Sequence, residues 1–157
     1  MALIQTEFAT GQTVAPTPAY AGEEVSYRAT YAFATGDLTL DQIVEFGPLP
    51  AGCTLVDAIL DTDSLDSDGS PTVTIDVGVM DGDFGALLDN SGDARTCGAT
   101  IFSAVTTAQA GGVARPTLAT AFRIAPVDTD TGIGVKIHAA PTTAAAGTLG
   151  LTLIYRG

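Results

Sequence analysis

Val73, Ile75, Val77 and Val79 alternate with Thr72, Thr74, Asp76 and Gly78. Strict alternation of this kind predicts a strand with one dry and one wet face over residues 72–80. The same period recurs along the chain. Val25, Tyr27, Ala29, Tyr31 and Phe33 share one face, with Ser26, Arg28 and Thr30 on the other. A turn at Gly36-Asp37 leads to a second strand over 38–46, with Leu38, Leu40, Val44 and Phe46 on one face. Gly47-Pro48 and Pro50-Ala51-Gly52 then punctuate the chain. A strand over 53–60 is apolar on both faces in places (Leu55, Val56, Ile59, Leu60), which suits a central position. Three more strands complete the chain, over 118–124, 133–137 and 149–155. Pro126, Gly132, Pro141 and Gly147 separate them.

Two stretches break this rhythm. In residues 81–116, Asp81, Gly82, Asp83 and Gly85 read as a loop and 86–89 as a short helical turn. Ile101, Phe102, Val105 and Ala108 then fall at helical spacing, and Gly111-Gly112 would stop that helix. Residues 1–24 carry Pro16, Pro18, Gly11 and Gly22 with little periodicity, and read as an extended arm. Phe8 and Tyr20 are its large apolar residues. Such an arm can lie on its own domain or on a neighbour. The expected organisation is therefore an arm over 1–24 and a single β-sandwich domain over 25–157. Seven or eight short strands between turn signals point to an all-β sandwich or barrel. A jelly roll with one short helix fits this length best. An immunoglobulin-like sandwich is the alternative, and the absence of any Trp argues against it.

Charge narrows the function classes. Eighteen acids face six bases in 157 residues, a formal net charge of -12. That field repels nucleic acid and anionic membranes. The bases Arg28, Arg95, Arg115, Arg123, Lys136 and Arg156 are scattered and form no nucleic-acid track. No apolar run reaches membrane-spanning length. The first residues have no basic n-region or long apolar core, so no secretory signal is expected.

Candidate chemistry is sparse. Asp61, Asp63, Asp66 and Asp68 crowd one loop. Carboxylates so placed can bind calcium, but no glycine falls where a calcium loop needs its sharp turn, and Asp and Ser also favour turns by bonding their own backbone. A solvated turn is the better reading. Asp128 and Asp130 repeat the ambiguity on a smaller scale. His138, the single histidine, falls on the outward face of its strand and cannot supply the ligand cluster of a catalytic jelly roll. It is also the one imidazole available as a base, and no G-x-S-x-G elbow or phosphate loop occurs. Cys53 and Cys97 form no CxxC pair and read as reduced, buried small residues. The expectation is a protein that is not an enzyme, with no cofactor and no metal.

Several segments resemble small structural proteins of tailed bacteriophages. They are Phe46-Gly47-Pro48-Leu49-Pro50-Ala51-Gly52, Leu65-Asp66-Ser67 with Gly69-Ser70-Pro71, and Val73 to Gly78. Gly111 to Arg115, Ile124-Ala125-Pro126 and the closing Gly150 to Tyr155 belong to the same likeness. The resemblance is to capsid cement or decoration proteins, which implies a jelly-roll fold bound outside the head shell, with no catalytic residues. It further implies the major capsid protein as partner, a homo-dimer or trimer, no direct nucleic-acid or membrane contact, and a place on the outer face of the virion after assembly in the bacterial host cytoplasm. The candidate interface residues are Phe8 and Tyr20 on the arm, with Arg28 and Arg115. The competing reading is a phage tail or fibre module that recognises a host-surface glycan.

Overall fold

In β9 (Gly147–Arg156), Leu149, Leu151, Leu153 and Tyr155 are buried, while Thr148 and Arg156 face solvent. Period-2 burial of this kind forces the strand to lie between a core and an outer face. The computed structural model describes residues 2–157. Its other strands are β1 (Ile4–Gln5), β2 (Glu24–Phe33), β3 (Ile43–Leu49), β4 (Thr54–Thr62), β5 (Thr74–Val79), β6 (Phe102–Val105), β7 (Gly112–Ala114) and β8 (Thr131–Ala139). One helical turn, α1 (Thr107–Ala110), and two 3-10 turns, Thr35–Asp37 and Ala119–Arg123, are the helical structure. The strands form two sheets in the orders β1-β3-β8-β5-β6 and β2-β9-β4-β7. All pairings are antiparallel except β1 with β3.

The core lies between the sheets. Phe33, Leu60, Leu151 and Leu153 from one sheet meet Phe46, Ile75, Val77, Ile133 and Ile137 from the other. This is the all-β sandwich that the alternation predicts, and burial of these side chains is its main driving force.

The outer faces of the two sheets differ. On the first sheet, Glu45, Asp76, Gly78, Gly132 and Gly134 sit on what alternation alone would make a wet face, yet all are buried. The excursion after β5 folds back over it. Gly98 N–H donates to the Val79 carbonyl and Ile101 N–H to that of Val77. Close approach depends on missing side chains. A Cβ on Gly78 would sit 2.5 Å from the Gly98 carbonyl oxygen and 2.7 Å from the Thr100 nitrogen. Both are backbone atoms with little room to move. Gly78→Ala is therefore expected to cost about 1–3 kcal/mol, read as a lower urea midpoint. An unchanged midpoint would contradict the close approach.

Several sequence expectations are corrected. Residues 118–124 form no strand. Leu118, Ala121 and Ile124 turn inward at a spacing of three, while Phe122 is exposed, so the segment folds as the 3-10 turn Ala119–Arg123. The strand expected over 38–46 is shifted to Ile43–Leu49. Asp41 takes a left-handed φ of 62° ahead of it, and Leu40 faces solvent rather than sharing the face of Leu38. Gly47 and Pro48 lie inside β3 instead of ending it. Proline is tolerated there because β1 covers β3 only at Val44 and Glu45. Residues 86–89 make no helical turn; Leu88 bridges Ala94 instead. The helix expected around Ile101 to Ala108 is mostly strand β6, as its β-branched and aromatic residues favour. Only α1 is helical, ending at Gly111 with a φ of 79°.

Residues 2–24 lie along the sandwich in this chain. β1 adds to β3, and Thr6 Oγ1 donates to the Phe46 carbonyl. Phe8 packs on Tyr27, with ring centroids 4.5 Å apart. The Tyr155 hydroxyl donates to the Pro16 carbonyl at 2.5 Å, and Gly22 N–H to the carbonyl of Gly157.

Candidate interaction surface

The second sheet has no layer comparable to the excursion over its outer face. From β2, Ser26, Arg28, Thr30 and Ala32 are exposed there; Thr152 and Ile154 of β9 and Ile59 of β4 are half-buried. Two ion pairs cross this face to β4. Arg28 reaches over Gly150 to Asp61, with Nη2 2.5 Å from Oδ1 and Nε 3.1 Å from Oδ2. A Cβ on Gly150 would collide with the guanidinium, so glycine keeps that path open. Arg115 pairs with Asp57 from the opposite side. Exposed pairs of this type add about 0–1 kcal/mol; their main effect is to fix two bases on a flat surface.

The four candidate interface residues are thus dispersed. Arg28 and Arg115 converge on β4. Tyr20 stands apart on the arm, 78 % exposed. Phe8 is half-buried against its own Tyr27. A second exposed apolar patch, Leu87 and Leu88, borders a groove of about 380 Å³ lined also by Ala2, Leu3 and Ile43.

The carboxylates of Asp61, Asp63, Asp66 and Asp68 are occupied by their own chain. Asp66, expected in a solvated turn, is instead buried. Its carboxylate accepts N–H bonds from Asp68 (3.2 Å), Thr72 (2.8 Å), Val73 (3.4 Å), Thr142 (2.9 Å) and Thr143 (2.9 Å). Burial alone would raise its pKa, but the N–H groups of Thr143, Thr72, Thr142 and Asp68 outweigh it and hold the carboxyl well below the usual range. Its neighbours point elsewhere: Asp61 to Arg28, Asp63 to the Thr148 N–H, Asp68 to the Ser70 N–H. The oxygens that calcium would need are turned to different donors. No cluster of three or more His, Cys, Asp or Glu able to hold a metal occurs among the described residues.

Two further charged groups escaped the sequence reading. Glu45 and Arg95, both with fully buried side chains, form an ion pair at 2.9 Å. Asp76 Oδ2 lies 2.8 Å from His138 Nδ1 and 3.2 Å from Lys136 Nζ, while Oδ1 accepts the Ala104 N–H at 2.8 Å. Burial pushes the Asp76 carboxyl up, but these donors outweigh it and hold it below its ordinary value. His138 thus meets Asp76 through Nδ1, with its side chain about half exposed.

Both cysteines are free and buried. Burial pushes the Cys97 thiol up to about 12, and burial together with Asp130 raises that of Cys53. Neither is a thiolate at neutral pH. Thiol reagents are expected to label the native protein slowly and the urea-unfolded protein at both positions; rapid native labelling would contradict this packing.

No family model matches the chain, and no curated protein matches it. Chains in solved phage capsids do, among them two from different phages. A chain in the capsid of Ralstonia phage GP4 is 43% identical, with a TM-score of 0.90 over 99% of this chain and 97% of that one. A chain in the cyanophage Pam1 capsid asymmetric unit is 25% identical, with a TM-score of 0.67 over 92% of this chain and 91% of that one. At 43% identity over 99% of its length, the chain belongs to the same phage-capsid protein family as the Ralstonia phage GP4 capsid chain.

Proposed function

We propose that this chain is a structural virion protein that binds the outside of an assembled phage capsid and stabilises it, as a cement or decoration protein. The carrying observation is the end-to-end likeness to a component of the Ralstonia phage GP4 capsid. Leaving β1 aside, the strand orders β2-β9-β4-β7 and β3-β8-β5-β6 follow the alternating path of a jelly roll, which supports that reading of the sandwich. Binding only to the assembled lattice shifts assembly toward that lattice by mass action. A net charge of -12 suits the outer face, away from packed DNA.

In this reading the major capsid protein is the partner, and copies associate as dimers or trimers around lattice symmetry axes. Residues 1–24 act as an arm on the domain formed by 25–157, with Tyr20, Arg28 and Arg115 facing neighbours and Phe8 anchoring the arm to its own sandwich.

Quantitative mass spectrometry of purified particles tests the reading. A copy number comparable to that of the major capsid protein is expected. A handful of copies per particle would move the chain to the tail or fibres.

A further inference from the structure

The ends of the two sheets are not alike. Three edges are short strands: β1 with 2 residues, β7 with 3 and β6 with 4. The fourth is β2, 10 residues long and, among the described residues, paired only with β9. Natural sandwiches blunt such edges or cover them, because a long row of free N–H and C=O groups is a template for another strand.

The register identifies which groups are free. Asp63 N–H donates to the Thr148 carbonyl, so even-numbered residues of β9 direct their backbone toward β4. Odd-numbered residues of β9 then face β2, where Leu149, Leu151, Leu153 and Tyr155 oppose Tyr31, Ala29, Tyr27 and Val25. The backbone groups of Glu24, Ser26, Arg28, Thr30 and Ala32 therefore point away from the sheet. All five residues are exposed, and their N–H groups have no hydrogen bond among the described residues.

Charge selects the occupant. Glu23 and Glu24 stand at one end of this edge and Asp37 at the other, while Arg28 is already neutralised by Asp61. A second copy fits poorly. A two-fold pairing that overlaps the whole strand sets Val25 opposite Phe33 and Glu24 opposite Ala34, three residues from Asp37, so acids meet acids at both ends.

We propose that the open edge of β2 is a docking site for an extended, basic segment of the capsid shell protein, which adds to the sheet as a further strand. This rests on the cement reading above and names the contact it uses. Main-chain bonds to the five outward residues supply affinity, and bases on the segment supply selection for the acidic ends.

Thr30 provides the test. Thr30→Pro removes an outward N–H without breaking a bond to β9, so the sandwich is expected to stay folded. Thr30→Lys keeps the N–H and sets a base against the basic segment. The full-length chain and both variants are cosedimented with shells of the source phage that lack it, with unfolding midpoints measured alongside. Expected are near-native midpoints and shell affinity lowered at least about tenfold in both variants. Wild-type affinity in the folded variants would overturn edge docking while leaving the cement function standing. Absence of binding by the wild type would overturn both. A free wild-type dimer that Thr30→Pro dissociates would assign the edge to a second copy and overturn the proposal. Should Thr30→Pro fail to fold, Thr30→Lys decides alone.

Discussion

Replacing Arg95 with alanine is expected to cost about 3–5 kcal/mol, because it strands the carboxylate of Glu45 in the interior without its counter-charge. Few residues join so many parts of the fold. Arg95 Nη1 lies 2.9 Å from Glu45 Oε1 and donates to the Ala86 carbonyl, while Nε donates to that of Asp81 at 2.7 Å. Glu45 in turn accepts from Gln5 Nε2 at 2.9 Å and from the Gly85 N–H at 3.3 Å. The pair thus ties the excursion to β3 and β3 to the arm. It fits only because Gly132 lacks a Cβ, which would lie 2.5 Å from Glu45 Oε1 and 2.8 Å from Arg95 Nη2. For a chain of this size the loss corresponds to a fall in Tm of roughly 10 °C. Glu45→Gln is expected to destabilise in the same direction. The double variant Glu45→Gln with Arg95→Met should recover part of the loss, since it leaves no unpaired charge. Additive losses in a double-mutant cycle would show that the two charges do not stabilise one another.

Asp66→Ala is expected to lower Tm by an amount on the order of 10 °C. The N–H groups that converge on this carboxylate come from its own loop and from the β8–β9 connection, at Thr142 and Thr143. Removing it leaves the buried Val73 N–H and four part-buried N–H groups without their acceptor, and stranded donors cost more than the bonds themselves contribute. Asp66→Asn keeps one acceptor oxygen but turns an amide toward donors, so it should recover little.

The acid dependence follows in sign. The folded carboxyl titrates well below the unfolded value of about 3.9. Its contribution is complete above that value and is lost as pH falls toward the folded pKa. Asp76, depressed by Ala104, His138 and Lys136 against its burial, adds to the same trend. Stability should therefore drop below about pH 4, more shallowly in Asp66→Asn than in the wild type. Equal acid slopes would contradict the role given to Asp66.

The sequence pattern was most legible where a strand separates core from water. In β2, β8 and β9 each inward position carries an apolar or aromatic side chain or lies against one, so period 2 locates both strand and face. It was least legible where something else covers the outer face. Nothing in the alternation of Val77, Gly78 and Val79 reveals that Gly98 and Thr100 lie across Gly78. Arg95 looks like any scattered surface base until the fold brings it to Glu45. Asp66 has the composition of a turn residue, and only Leu65 beside it, fully buried, marks the loop as part of the core. Ala119–Arg123 reads as a strand because small alanines alternate with larger residues at period 2, while the buried Ala121 and the half-buried Leu118 and Ile124 repeat at period 3. Alternation puts Arg28 on the wet face, where the fold also has it, but its tie to Asp61 two strands away depends on Gly150, which period alone cannot reveal.

The central claim, that this chain stabilises an assembled shell from outside, is tested most directly by heating DNA-filled particles of the source phage prepared with and without it. Release of DNA is followed by a dye that cannot enter intact heads. Particles lacking the chain are expected to release DNA at a lower temperature, and purified chain added back from solution is expected to restore the wild-type value. Identical release temperatures in the two preparations, with no change on adding the chain, would contradict it.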